Sequence, residues 1–127
     1  MSSVLLVDDE APIVEVLTRT LRARGIDVRV ATNGVDALYA ITEGVPDVML
    51  LDINLPDLTG WEVLRRLSPA DRARLPIIVF SASPLSPKRV EEFRPAGVLI
   101  KPFPVDALLR LITEATTRTP SRETAHA

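Results

Sequence analysis

Five short apolar runs with strand character do most to limit what this chain can fold into: Val4 to Val7, Ile26 to Ala31, Val48 to Leu51, Ile77 to Phe80 and Val98 to Ile100. They are largely continuous rather than alternating, the pattern of strands buried on both faces in a parallel sheet covered by helices. Between them lie segments with helical spacing. From Pro12 to Arg24, Ile13, Leu17 and Leu21 recur at four-residue intervals, with Pro12 in the first turn and Gly25 just past the end. Asn33-Gly34 opens a second segment, striped by Ala37, Leu38 and Ile41 and closed by Gly44. Gly60 to Leu67 is a third, and Ser86 to Phe93, started by Pro87 and stopped by Pro95, is a fourth. Pro104 to Thr116 is the fifth, with Val105, Leu108, Ile112 and Ala115 on one face. Five strands alternating with five helices predict βαβ units wound into a doubly wound α/β sandwich.

The chain has 127 residues, 46% of them apolar, which suits one domain with a proper core. Fifteen basic residues against seventeen acidic ones give a net charge of -2, with no basic run to track a phosphate backbone, so no direct nucleic-acid partner is expected. The absence of cysteine excludes a disulfide framework and a thiolate metal site, and fits a reducing compartment. The N-terminus lacks the basic flank of a signal peptide, and no apolar stretch is long enough to span a bilayer. A cytoplasmic protein without a membrane partner is the expectation. Beyond Thr116 apolar periodicity is lost, so residues 117–127 are expected to be a flexible tail or the start of a linker. The only histidine, His126, lies there and is a poor catalytic candidate.

Polar exceptions gather at the predicted strand ends. The first strand ends in Asp8-Asp9, the third in Asp52, the fourth in Ser81 and the fifth in Lys101-Pro102. In a parallel sheet these ends share one edge, where open α/β sheets place their sites. Carboxylates brought together there repel unless a cation intervenes, and Mg²⁺ takes carboxylates, other oxygens and waters. The turn after the first strand is Asp-Asp-Glu, not the Gly-rich phosphate cradle of nucleotide-binding folds. With a metal in place, Asp52 could attack a phosphoryl group to form an acyl phosphate, Lys101 offsetting charge on its oxygens and Ser81 donating a hydrogen bond. No histidine base or second nucleophile stands nearby, so the expected chemistry is accepting phosphate and not passing it on rapidly, with at most slow self-catalysed phosphorylation and dephosphorylation. Thirteen of the fifteen basic residues are arginine, and Lys101 departs from that habit where a compact charge suits a phosphoryl group.

From Val4 to Thr116 the chain resembles the receiver domains of bacterial two-component response regulators. The resemblance is carried by Val-Leu-Leu-Val-Asp-Asp-Glu, Leu-Leu-Asp-Ile-Asn-Leu-Pro-Asp-Leu-Thr-Gly, Val-Phe-Ser-Ala-Ser and Ile-Lys-Pro-Phe, in that order. It implies a flavodoxin-like (βα)5 sandwich over residues 1–116 with strand order 2-1-3-4-5. It implies that Asp52 is the phosphoacceptor, that Asp8 and Asp9 hold Mg²⁺ directly or through water, and that the Asn54 backbone carbonyl completes the coordination. Ser81 would be the switch hydroxyl, Lys101 the phosphoryl contact, and Ala82 small enough to leave room. The Lys101-Pro102 bond is expected to be cis. A sensor histidine kinase or phosphotransfer protein is the implied donor, and the fourth helix, fifth strand and fifth helix, with Leu109 and Leu111, a dimer or effector face. Receivers often carry an aromatic three residues before the lysine; here Val98 stands there, so the signal is expected to leave through the Ser81 to Pro87 loop and the fourth helix.

Singly, each residue has a plainer reading: Asp8-Asp9 as a helix cap, Ser81 as a turn former, Trp61 and Phe103 as packing. Their joint placement at one sheet edge favours a site. Two rivals differ in chemistry. A phosphohydrolase of the haloacid dehalogenase type resembles Asp-x-Asp at its nucleophile, whereas this chain has Asp52-Ile53-Asn54. A receiver-like module that signals without phosphate finds support only in Val98.

Overall fold

Strands covered on both faces divide their side chains between two cores, and the computed structural model, which describes residues 2–124, has that organisation. β1 (Ser3–Val7), β2 (Asp27–Ala31), β3 (Val48–Asp52), β4 (Ile77–Ser81) and β5 (Gly97–Ile100) form one parallel sheet in the order β2-β1-β3-β4-β5. Leu5, Val7, Met49, Leu51, Ile77 and Val79 point to one face. Val4, Leu6, Val48, Leu50, Ile78 and Phe80 point to the other. All twelve are essentially without solvent contact, each worth about 1.5–3 kcal/mol of apolar burial.

The helices cover these faces unequally. α2 (Gly34–Glu43) and α3 (Gly60–Arg66) pack on the first through Ala37, Ile41, Trp61, Val63 and Leu64, with α5 (Pro87–Phe93) adding Val90 and Phe93. α1 (Ala11–Ala23) and α6 (Val105–Thr124) pack on the second through Leu17, Leu21, Leu108, Ile112 and Ala115. α1 ends in a Schellman arrangement: Ile26 N–H donates to the Leu21 carbonyl at 3.1 Å and Gly25 N–H to Arg22 at 3.0 Å, with Gly25 at φ 80°. None of the described helices is long and apolar enough to cross a membrane.

Two elements depart from the sequence reading. A helix α4 (Pro69–Arg74) follows α3, so six helices are described where the periodicity predicts five. Ser68 caps it by accepting from Asp71 N–H at 3.1 Å, and Pro69 sits in its first turn. None of its six residues is buried, so no apolar period announces it. The last helix does not end near Thr116 but runs on to Thr124. Within it the Thr113 and Thr116 hydroxyls donate to the carbonyls of Leu109 and Ile112, both at 2.9 Å. His126 lies outside the described residues.

Candidate functional site

The order of the sheet puts its switch point between β1 and β3, where the chain leaves in opposite directions and a crevice opens beyond the strand ends. Asp8 follows β1 directly and Asp52 is the last residue of β3; Ser81 ends β4 and Lys101 follows β5. Register holds them level: Val7 pairs with Leu51, Asp52 with Phe80 and Ser81 with Ile100. The Lys101-Pro102 bond is cis.

Lys101 is the hub. Its Nζ donates to Glu10 Oε1 at 2.7 Å, Asp8 Oδ2 at 2.9 Å and Asp52 Oδ2 at 3.1 Å. The remaining oxygen of each buried carboxylate accepts from a turn amide, Asp8 Oδ1 from Glu10 N–H at 2.9 Å and Asp52 Oδ1 from Asn54 N–H at 3.0 Å. Asp8 is 0% and Asp52 4% exposed, so both are held in fixed positions away from water. Burial pushes the Asp52 carboxyl above its ordinary range, with Asp8's charge adding to it and the bonds from Asn54 and Lys101 opposing. For Lys101, burial alone would lower the ammonium's pKa, yet its bonds to Asp8, Glu10 and Asp52 outweigh burial and hold it well above the ordinary range. The lysine is therefore charged throughout the physiological range.

Among the described residues, the carboxylates close enough to share one cation are Asp8, Glu10 and Asp52, whose oxygens lie within 4.8 Å of one another. This all-oxygen set, flanked by the Asn54 loop, fits a hard divalent ion such as Mg²⁺. Asp9 is exposed and lies outside that trio, and Asn54 is exposed beside it. The structure thus brings Asp8, Asp52, Ser81 and Lys101 to one crevice and adds Glu10, to which the sequence alone assigns no role. Ser81 is 2% exposed, and its hydroxyl donates to the Ser83 carbonyl at 2.6 Å while accepting from Ser83 N–H at 3.2 Å.

The loop after β3 is fixed at both ends. Gly60 lies so close to the strand that an added Cβ would come 2.9 Å from the Asp52 carbonyl oxygen and 3.0 Å from Ile53 Cα. Asp57 accepts from Gly34 N–H at 2.7 Å and Val35 N–H at 2.9 Å, capping α2 from outside alongside its own cap Asn33. Those amides pull the Asp57 carboxyl below its ordinary range, so the stability it contributes is present at neutral pH and lost as pH falls through its lowered value. Asp57→Ala is expected to lower the urea midpoint at pH 7, and the gap to close below the ordinary carboxylate range. A gap independent of pH would contradict the cap.

On the far side of that loop, Trp61 stacks on Phe93 of α5, centroids 5.2 Å apart and planes 18° from parallel. The Arg65 guanidinium lies 5.2 Å from the same ring's centroid and 3.6 Å from Glu92, and Arg72 donates to the Phe93 carbonyl. Phe103 meets Phe80 at 5.1 Å. Leu111 is half-buried over Gly97, whose bare Cα leaves room for it, and Leu109 packs against the same core.

Comparison with known proteins agrees with this geometry. The family model described as the response regulator receiver domain matches residues 4–113. The transcriptional regulatory protein KdpE of Mycobacterium tuberculosis is 39% identical over 93% of this chain, and CusR of Escherichia coli is 36% identical over 83%. These matches cover 52% and 47% of those proteins, so the chain spans about half the length of the curated relatives it resembles. Among solved structures, the chemotaxis response regulator CheY4 of Vibrio cholerae is 28% identical with a TM-score of 0.82, covering 91% of this chain and 98% of that one. The response regulator TrrA of Thermotoga maritima, solved with Mg²⁺ and BeF, is 28% identical with a TM-score of 0.80, covering 91% and 99%. With its parallel sheet in the order 2-1-3-4-5 and its strand-end crevice, the chain belongs to the response regulator receiver domains of two-component systems.

Proposed function

We propose that Asp52 accepts a phosphoryl group from the phosphohistidine of a cytoplasmic sensor kinase or phosphotransfer protein, and that the chain switches conformation in response. The observation that carries this reading is the buried Asp52 carboxylate at the end of β3, with one oxygen on Asn54 N–H and the other on Lys101. Asp8, Asp52 and the Asn54 carbonyl would hold Mg²⁺, with Asp9, outside the close trio, engaging it through water and Glu10 a further carboxylate in reach. When bound, Mg²⁺ offsets the charge of the carboxylates and of the phosphoryl oxygens. Asp52 then attacks phosphorus as the bond to the donor nitrogen breaks, giving an acyl phosphate. Lys101 trades carboxylate oxygens for a phosphoryl oxygen, and Ser81 gives up the Ser83 carbonyl to donate to another. Asn54 and Ser83 flank the approach of an attacking water, and with no histidine base in the crevice among the described residues the acceptor at most phosphorylates and dephosphorylates itself slowly.

Incubation with acetyl phosphate should add one phosphoryl group per chain with Mg²⁺ and none with excess chelator. Hydrolysis of p-nitrophenyl phosphate far beyond one equivalent would instead favour the phosphohydrolase rival.

The signal then has a route that does not need an aromatic at position 98. Movement of the Ser81 to Pro87 loop loosens the start of α5, while the Trp61 to Phe93 stack and the Arg65 and Arg72 contacts hold its end against α3 and α4. Val98 and Ile100, 37% and 41% exposed, leave β5 with α5 and α6 as the face for a second copy or an effector. Trp61 is the only tryptophan, so its emission should change when Mg²⁺ and beryllofluoride are added together. Unchanged emission, with unchanged amide shifts from Ser81 to Phe93, would sink this route.

A further inference from the structure

We infer that Glu10 is a positioning residue that competes with the phosphoryl group for Lys101 and so limits how firmly the phosphorylated state is held, an inference that rests on the acceptor reading of Asp52. Glu10 occupies the N-cap of α1, where an acidic side chain would ordinarily turn to the helix amides. It makes no such cap bond. Its own N–H is taken by Asp8 Oδ1, which fixes the backbone so that the side chain reaches across the crevice to a lysine 91 residues away. At 2.7 Å this is the shortest of the three bonds to Lys101 Nζ.

The three carboxylates on Lys101 are not equivalent. The side chains of Asp8 and Asp52 are 0% and 5% exposed, whereas that of Glu10 is 55% exposed. Asp8 and Asp52 are bound by turn amides on their other oxygens; Glu10 has no second tether among the described residues. A phosphoryl group on Asp52 must draw Lys101 Nζ toward its own oxygens. Asp8 and Asp52 stay anchored by their turn amides when the lysine moves, whereas Glu10 is held to Lys101 alone, which makes it the partner that must be displaced. An ion pair this exposed is weak, so it sets a modest bias and not a lock.

The test compares wild type and Glu10→Gln for binding of beryllofluoride at saturating Mg²⁺, followed by Trp61 emission and by amide shifts, with Mg²⁺ affinity measured separately. Glu10→Gln should bind beryllofluoride roughly three- to fivefold more tightly, the factor expected from removing one exposed ion pair. The gain should shrink in high salt, because the competing pair is screened; a fold or packing effect of the substitution would not. Equal or weaker beryllofluoride affinity in the variant, or a gain insensitive to salt, would overturn the inference. So would a large loss of Mg²⁺ affinity, which would make Glu10 a metal ligand first. If wild type itself fails to bind beryllofluoride, the acceptor reading fails, and Glu10 with it.

Discussion

Asp52→Asn is expected to abolish phosphoryl uptake completely while leaving the protein folded and at least as stable as wild type. Uptake is lost because the amide oxygen is too weak a nucleophile to form the acyl phosphate. Folding is kept because that oxygen can still accept from Asn54 N–H. The stability expectation follows from burial: the folded state disfavours the Asp52 carboxylate, so its carboxyl is held above the ordinary range, and Asp8's charge adds to the effect. A raised carboxyl gives stability that is present below the ordinary carboxylate range and is lost as pH rises through the raised value. The variant carries no such loss. Its advantage in urea unfolding should therefore be largest at neutral pH without metal, and should fade as the buffer is acidified. Loss of uptake accompanied by unfolding would leave the acceptor assignment without support from this variant; retained uptake would refute it.

The second large effect concerns Lys101→Met. The lysine is the sole cation bonded to Asp8, Glu10 and Asp52 among the described residues, and two of those carboxylates are nearly free of solvent. Removing it leaves buried like charges with no counter-charge, which costs about 3 kcal/mol in metal-free buffer at pH 7. Two features distinguish this from ordinary lost packing. The loss should shrink on acidification, as Asp52 takes up a proton, and millimolar Mg²⁺ should raise the midpoint of the variant more than that of wild type, since the ion no longer competes with an ammonium. A loss that ignores both pH and Mg²⁺ would contradict the charge account.

Much of this architecture is legible in the order of residues alone. The apolar runs read as strands because a sheet covered on both faces needs no alternation, and the strand order and the meeting of Asp8 and Asp52 with Lys101 agree with that reading. α4 escapes it because a helix that buries nothing has no apolar stripe; its only marks are Ser68 as cap and Pro69 after it, which equally spell a turn. Glu10 escapes it because a run of three acidic residues does not tell which side chain turns inward. That choice depends on Asp8 taking the Glu10 amide. Asp57 looks like any loop residue, since the α2 amides it caps are 23 and 22 residues away in sequence. The grip of Trp61, Arg65 and Arg72 on Phe93 is likewise a product of tertiary packing among three short helices, none of which has a pattern pointing to the others.

The central claim is that one carboxylate, Asp52, becomes an acyl phosphate. Borohydride reduces an acyl phosphate of aspartate to homoserine and leaves free carboxylates untouched, so it reports the position as well as the chemistry. After treatment with acetyl phosphate and Mg²⁺, reduction and peptide mass mapping should find homoserine at position 52 and nowhere else, and none when Mg²⁺ is withheld. Homoserine at position 8 or 9, or phosphate uptake that leaves Asp52 unreduced, would contradict the account.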